Sequence, residues 1–192
     1  MTSIKRKHLV NTAQQLFYQF GLNATGIDYI LAESGVAKKT LYNHFRSKEE
    51  LIVATLKKRD AEFMAMLNES VSRLTNQQTC QPHFKPIMAL FDAIAQWVVS
   101  DNFNGCMFIN ASAEYSDPDS AINAICRHHK IQVINYIEEL LTESKQKNTS
   151  ILAKQIAILI DGAIVNAHTC RDTNAPQHAK TVALILLDTT GC

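Results

Sequence analysis

The stretch Thr25-Gly26-Ile27-Asp28-Tyr29-Ile30-Leu31-Ala32-Glu33-Ser34-Gly35-Val36-Ala37-Lys38-Lys39-Thr40-Leu41-Tyr42-Asn43-His44-Phe45-Arg46-Ser47-Lys48-Glu49-Glu50-Leu51 decides how this 192-residue chain is read. Ile27, Ile30 and Leu31 recur at helical spacing, so a short helix carries one buried stripe. Gly35 follows where the chain must turn sharply. Val36 and Leu41 fill the gap between this helix and the next. Beyond Gly35 the apolar positions thin to Val36, Leu41 and Phe45, leaving Lys38, Lys39, Thr40, Asn43 and His44 to cover most of a two-turn helix. A thin buried edge with a broad hydrogen-bonding face is the second helix of a helix-turn-helix, shaped for the DNA major groove. Ser47 and Glu50 then form a capping box, the hydroxyl accepting from the Glu50 amide and the carboxylate returning to the Ser47 amide, so a further helix begins at about residue 48.

Working outward, Leu9, Ala13, Leu16, Phe17 and Phe20 repeat at three and four, predicting a first helix over Ile4 to Phe20 that Gly21 stops. The helix from Lys48 runs into the low seventies, with Ile52, Leu56, Phe63 and Met66/Leu67 on one side. Thr75 to Pro86 is a polar connector. Helices follow over Ile87 to Val99 and from Asn104-Gly105 to about Tyr115. Asp117-Pro118 reads as N-cap and first position of a helix reaching about Glu143, Lys145 to Ser150 as a loop, and Ile151 to about His168 as an eighth helix. Thr173 to Pro176 opens a ninth that ends near Asp188. No strand alternation or internal repeat competes. The expected fold is all-α with about nine helices: a three-helix helix-turn-helix domain over 1–47, and a C-terminal helical domain over 48–192, linked by the helix from about residue 48.

The formal net charge of +1 conceals a division. Residues 1–59 carry ten Lys/Arg against four Asp/Glu, a balance of +6, and the remainder nine against fourteen, −5. A basic head on an acidic body suits a protein whose head meets a polyanion. No apolar run approaches the roughly 20 residues that span a bilayer, and the N-terminus has no signal-peptide pattern, so a cytoplasmic protein without a membrane partner is expected. Cys80, Cys106, Cys126, Cys170 and Cys192 are odd in number and scattered, which predicts reduced thiols.

Residues 25–51 resemble the tetracycline-repressor-like (TetR) family of bacterial regulators, most specifically in Thr40-Leu41-Tyr42, His44-Phe45 and Lys48. The resemblance covers about a quarter of the chain directly. Two positions depart from it. Ala37 stands where the family often has Ser, removing a cap hydroxyl worth about 1 kcal/mol, and Lys39 stands where a small or apolar residue is common.

Lys38 and Lys39 are long donors for guanine O6/N7 or phosphate, Asn43 can pair with adenine N6/N7, and Thr40 can meet a thymine methyl or phosphate. Lys39, Thr40 and Asn43 are the expected base readers. The resemblance implies that Thr25, Tyr42, His44 and Lys48 hold the DNA backbone, and Lys48 also sits near the positive end of its helix. Tyr42 and His44 have a packing or capping alternative, and Lys38 that of a solvated charge. Lys5, Arg6 and Lys7 add basic groups that suit phosphate or the minor groove.

The eighth and ninth helices are poor in charge. Ile151 to Val165 is apolar nearly all round and must be covered on every side, either as the core helix of a monomer or in a symmetric dimer. Gly162, Ala163, Ala167, Ala179 and Ala183 permit close helix approach and, with Asp161 and Leu186, mark the expected interface. TetR-like proteins dimerise through their last two helices, so the resemblance favours the dimer. Asp161 needs a partner across the dimer, a helix cap or a ligand, interface pairing being the favoured one.

The resemblance further implies a small-molecule pocket whose occupation changes the spacing of the two recognition helices, and hence three partners: an operator duplex, a second copy and an effector. Phe91, Trp97, Phe103, Phe108, Asn110 and Tyr115 combine apolar faces with polar handles suited to that pocket. Cys126 and His129 share a helical face at a metal-compatible spacing but lack a third ligand, and Cys106 has an oxidation-sensor alternative to an inert buried thiol. No phosphate loop, zinc-protease or nucleophile-elbow motif is present, so neither an enzyme nor a cofactor is expected. The expectation is a homodimeric, ligand-responsive repressor on a palindromic operator. Its alternative is a helical ligand-binding or thiol redox-sensing protein without sequence-specific DNA binding.

Overall fold

A computed structural model describes residues 4–80, 82–142 and 148–189. The helices are α1 (Ile4–Phe20), α2 (Ile27–Ser34), α3 (Lys38–His44), α4 (Lys48–Thr75), α5 (Lys85–Val98), α6 (Met107–Glu114), α7 (Ala121–Leu141), α8 (Thr149–Thr169) and α9 (Ala175–Thr189), with a 3-10 turn at Pro82–Phe84. No strand occurs among the described residues, and the all-α expectation holds. The expected end of α7 at Glu143, the beginning of the loop from Lys145 and the terminal Cys192 lie outside the described residues.

Two compact units form, and they do not follow the expected boundary after residue 47. The first comprises the chain up to Glu62 together with Met107–His129, and the second Phe63–Cys106 together with Lys130 onward. The short helices of the head thus share a unit with half of α4, all of α6 and the start of α7.

In the first unit Leu9, Ala13, Leu16 and Phe17 of α1 are buried with Ile30, Leu41 and Phe45 of the motif and Leu51, Ile52 and Leu56 of α4. Each such Leu or Ile contributes about 1.5–3 kcal/mol on burial. Phe20, expected in the α1 stripe, is 47% exposed and lies 6.0 Å from the Tyr29 ring. The restart after α6 also differs from expectation. Asp117 Oδ1 accepts from the Asp119 amide, forming a local turn that contains Pro118, while Ser120 Oγ accepts from the Asn123 amide and caps α7. An Asp side chain that bonds two residues ahead favours a turn over a cap.

In the second unit α5 is the central helix: Ile87, Met88, Ala89, Leu90, Phe91, Ala93, Ile94 and Val98 are all buried. It packs against α8 and α9, which also pack on each other. Lys180 Nζ of α9 donates to both Asp92 oxygens of α5 at 2.6 and 2.7 Å, and Gln78 Nε2 from the connector donates to Asp92 Oδ2 at 2.7 Å. This ionic knot fixes three segments at once. The expectation that no segment approaches a bilayer span needs correction. Among the described residues α8, 21 residues long, is apolar enough to do so by length and composition. Lys154 and Asp161 interrupt its apolar surface.

Candidate nucleic-acid interface

The motif is built by a change of backbone hand. Gly35 closes α2 at φ 62°, ψ 15°, the left-handed conformation that glycine adopts without a Cβ penalty. The chain then enters α3 through Ala37, which supplies no side-chain cap. Leu41 is 0% exposed and Phe45 2%, so this edge of α3 and its following residue are locked into the unit. Lys38, Lys39, Tyr42 and Asn43 are exposed, while Thr40 and His44 are half-buried. A seven-residue helix therefore presents four long or polar side chains from a rigid apolar edge.

The capping box after α3 is redistributed. Ser47 Oγ accepts from the Glu50 amide at 3.3 Å as expected, but the Glu50 carboxylate accepts from the Arg46 amide at 2.7 Å. A hydrogen bond from Ser47, followed by the Glu49 amide and the Lys48 charge, holds the Glu49 carboxyl below its ordinary value despite partial burial. The start of α4 is thus anchored on both sides of Ser47.

The eight expected DNA contacts separate by geometry. Lys39, Tyr42 and Asn43 stand exposed on α3, Tyr42 at 47%. Lys38 Nζ lies 3.2 Å from Asp28 Oδ1 of α2, an exposed pair that adds little stability. Lys48 Nζ donates to the Asn23 carbonyl at 3.4 Å. Thr25 requires correction: it is 0% exposed, and its hydroxyl donates to the Gly21 carbonyl at 2.8 Å. A buried hydroxyl bonded to the preceding turn cannot reach a phosphate. It precedes the N-cap Gly26 and joins the end of α1 to the start of α2. The Arg6 guanidinium lies 4.9 Å from the Phe45 ring centre, a placement that sequence periodicity did not indicate.

The six residues expected to form an effector pocket divide between the two units, three in each. Phe91 is 0% exposed, whereas a side chain lining even a water-sized space retains accessible surface, so it belongs to the α5 core. Phe108 is 2% exposed and stacks at 3.6 Å on His129, whose Nδ1 lies 2.7 Å from Asp60 Oδ1. Trp97 and Phe103 are half-buried in the second unit, their ring centres 5.0 Å apart, with Phe63 5.2 Å from Trp97. Asn110 and Tyr115 are half-buried in the first unit. Burial, then the Glu49 and Glu114 charges, push the Tyr115 phenol up. A separate open cleft of about 350 Å³ in the first unit is lined by Arg6, His44, Phe45, Glu49, Val53 and Lys57 among others, and by none of the six.

The expected dimer residues need a similar correction. Ala163, Ala167, Ala179 and Ala183 are 5%, 7%, 8% and 0% exposed within one copy, so these small side chains serve packing inside the second unit. Asp161 pairs with Lys130 at 2.5 Å in the same chain, so it does not wait for a partner across an interface. The exposed apolar positions are instead Ile151, Ile158 and Val165 on α8 and Val182 and Ile185 on α9. Gly162 is exposed with open space around it, and Leu186 is half-buried. Cys106 is buried, with Lys130 Nζ 3.8 Å from its sulfur. Cys126 and His129 are both buried, and no group of three metal-ligating side chains occurs among the described residues.

Comparison with known proteins gives this arrangement its context. The family model for bacterial regulatory proteins of the tetR family matches residues 9–55. The HTH-type transcriptional regulator YjdC of Escherichia coli K12 is 20% identical over 161 residues, 84% of this chain and 82% of YjdC. The HTH-type transcriptional repressor NemR of the same strain is 30% identical over 114 residues, 58% of this chain and 54% of NemR. The crystal structure of a TetR-family transcriptional regulator from Streptomyces coelicolor covers 98% of this chain and 90% of its own, with a TM-score of 0.84 at 28% identity. With the exposed polar face of α3 on a helix-turn-helix, these matches identify residues 9–55 as a DNA-binding segment of the tetR family of bacterial regulatory proteins, in a chain with the fold of a TetR-family transcriptional regulator.

Proposed function

We propose that this regulator is a homodimeric repressor that occupies a near-palindromic operator and is released by a small molecule. The observation that carries the DNA-binding part is α3 itself: Lys39, Tyr42 and Asn43 are exposed on a helix held rigidly by Leu41. Lys39, Thr40 and Asn43 read bases, while Tyr42, His44 and Lys48 hold the backbone. Lys38 joins them when DNA phosphate displaces Asp28 as its partner. One two-turn helix covers too few base pairs for high specificity, and a two-fold pair places two such helices on successive major grooves.

The apolar positions of α8 and α9 support the dimer. Ile151, Ile158 and Val165 recur every seven residues, a single helical face, and Val182 and Ile185 present a second on the adjacent helix. Gly162 lies beside that face, where a missing side chain permits close approach. For the effector, Trp97 and Phe103 are the expected pocket residues that keep accessible surface in the second unit. Relief of repression requires the effector to favour a state in which the two recognition helices no longer match consecutive grooves.

Selection of duplexes from a random library tests this reading. A recovered near-palindrome, protected as a discrete footprint by wild-type protein and with altered base preference for Lys39→Ala, is the expected result. Salt-dependent binding with no recovered sequence preference would refute it.

A further inference from the structure

We propose that Glu114 is a positioning residue for DNA binding: from the end of α6, its carboxylate holds the turn between α1 and α2 and thereby sets the seating of the helix-turn-helix. The inference rests on the DNA-binding reading above and assigns this seating to one side chain outside residues 1–47.

The turn over residues 21–23 has little structure of its own to hold it. Gly21 takes φ +88°, a left-handed conformation. The two amides that follow are satisfied from a distant part of the sequence: the Leu22 N–H donates to Glu114 Oε1 at 2.9 Å, and the Asn23 N–H donates to Glu114 Oε2 at 2.6 Å. Asn23 Nδ2 also donates to the Glu114 backbone carbonyl at 3.3 Å. One carboxylate therefore uses both oxygens on consecutive amides, a geometry in which each hydrogen bond is charge-assisted. The approach is close: a Cβ on Gly21 would stand 3.1 Å from Glu114 Oε1.

The same turn carries the connection onward. The Gly21 carbonyl accepts from the buried Thr25 hydroxyl, two residues before α2 begins, and the Asn23 carbonyl accepts from Lys48 Nζ at the start of α4. Glu114, the turn, α2 and a proposed phosphate-binding lysine are thus joined by successive hydrogen bonds within one compact unit. A displacement of the end of α6 reaches the head through two short bonds, and loss of those bonds frees the turn without removing any buried apolar side chain.

The test compares wild type with Glu114→Gln on the selected near-palindromic duplex and on an unrelated duplex at one salt concentration. Gln keeps one acceptor but sets an amide N–H₂ against a donor, so affinity for the selected duplex is expected to fall about tenfold, as for one lost charge-assisted hydrogen bond, with the unrelated duplex nearly unchanged. Amide hydrogen exchange supplies a second measurement, and its wild-type half does not depend on the variant folding. In wild type the Leu22 and Asn23 amides are protected, and in Glu114→Gln they exchange faster while the Leu16, Ile30 and Leu41 amides do not. Equal weakening on both duplexes, a fall explained by global unfolding, or unprotected Leu22 and Asn23 amides in wild type would each overturn the assignment. If wild type selects no duplex, the reading of specific DNA binding fails instead, and the exchange result still judges the clamp.

Discussion

Replacing Ile158 on α8 tests the proposed dimer, because it separates association from folding. Its side chain is 71% exposed in a single copy, so it adds little to the stability of the monomer. Full burial of an Ile contributes about 1.5–3 kcal/mol, and covering an exposed fraction of 71% recovers about 1–2 kcal/mol of that per copy. Two-fold symmetry doubles the effect, and the methyl group left in Ile158→Ala retains a small part, so the dimer should weaken by about 2–3 kcal/mol. The corresponding rise in the dissociation constant is about 30- to 150-fold. Ile158→Asp should weaken the dimer further, because an unpaired carboxylate would be desolvated at the interface. Sedimentation velocity over a range of protein concentrations reads the constant, and thermal unfolding of the fully dissociated protein checks that the monomer fold is intact. Ile131→Ala, 55% exposed on α7 outside this face, is the control for general surface apolarity. The reasoning is refuted if Ile158→Ala and Ile158→Asp both leave the dissociation constant within about twofold of wild type, or if Ile131→Ala weakens association equally.

Thr25→Val should lower stability by about 1–2 kcal/mol, because it removes the hydroxyl bonded to the Gly21 carbonyl; chemical denaturation measures the loss, and the salt slope of DNA binding should not change. Tyr42→Ala should weaken selected and unrelated duplexes alike and lower the salt-dependent part of neither, whereas Lys39→Ala should alter which duplexes a selection recovers. Asp92→Ala strands the Lys180 ammonium of the α5–α9 knot and should cost about 1–3 kcal/mol in denaturant titration. Burial, helped by Glu139, pushes the Tyr136 phenol up to about 12 from an ordinary 10.0. Between those values the folded chain keeps a proton that the unfolded chain releases, so stability falls as pH rises. Tyr136→Phe should flatten that alkaline decline in stability curves recorded across the same interval.

Local chemistry made much of the architecture legible. The Gly35 turn, the apolar edge at Leu41 and Phe45 and the Ser47 cap depend on neighbours within a few residues, so residues 25–51 predict their own geometry, including the exposure of Lys39 and Asn43. Helix existence was legible for the same reason, since a 3.6-residue period is written in every turn. The start of α7 was displaced because Asp117 has two local hydrogen-bonding options, and nothing in Asp-Pro alone chooses between turn and cap.

Side-chain partners far apart in sequence were not legible. Periodicity marks an apolar side without saying which helix covers it, so α8 read as a helix needing cover all round, whereas α5 proved to be the enclosed one and α8 kept Ile158 in the open. The small alanines suited close packing in either setting, and only the placement of α5, α8 and α9 assigned them to the interior of one copy. Asp161 demanded a partner without naming Lys130, and Glu114 carried no motif linking it to an amide 92 residues away. The sequence by itself determined the helices and the DNA-facing motif, because both follow from short-range spacing and backbone chirality. The tertiary structure decided which faces are covered and which charges meet, because burial and pairing depend on distances that sequence separation does not constrain.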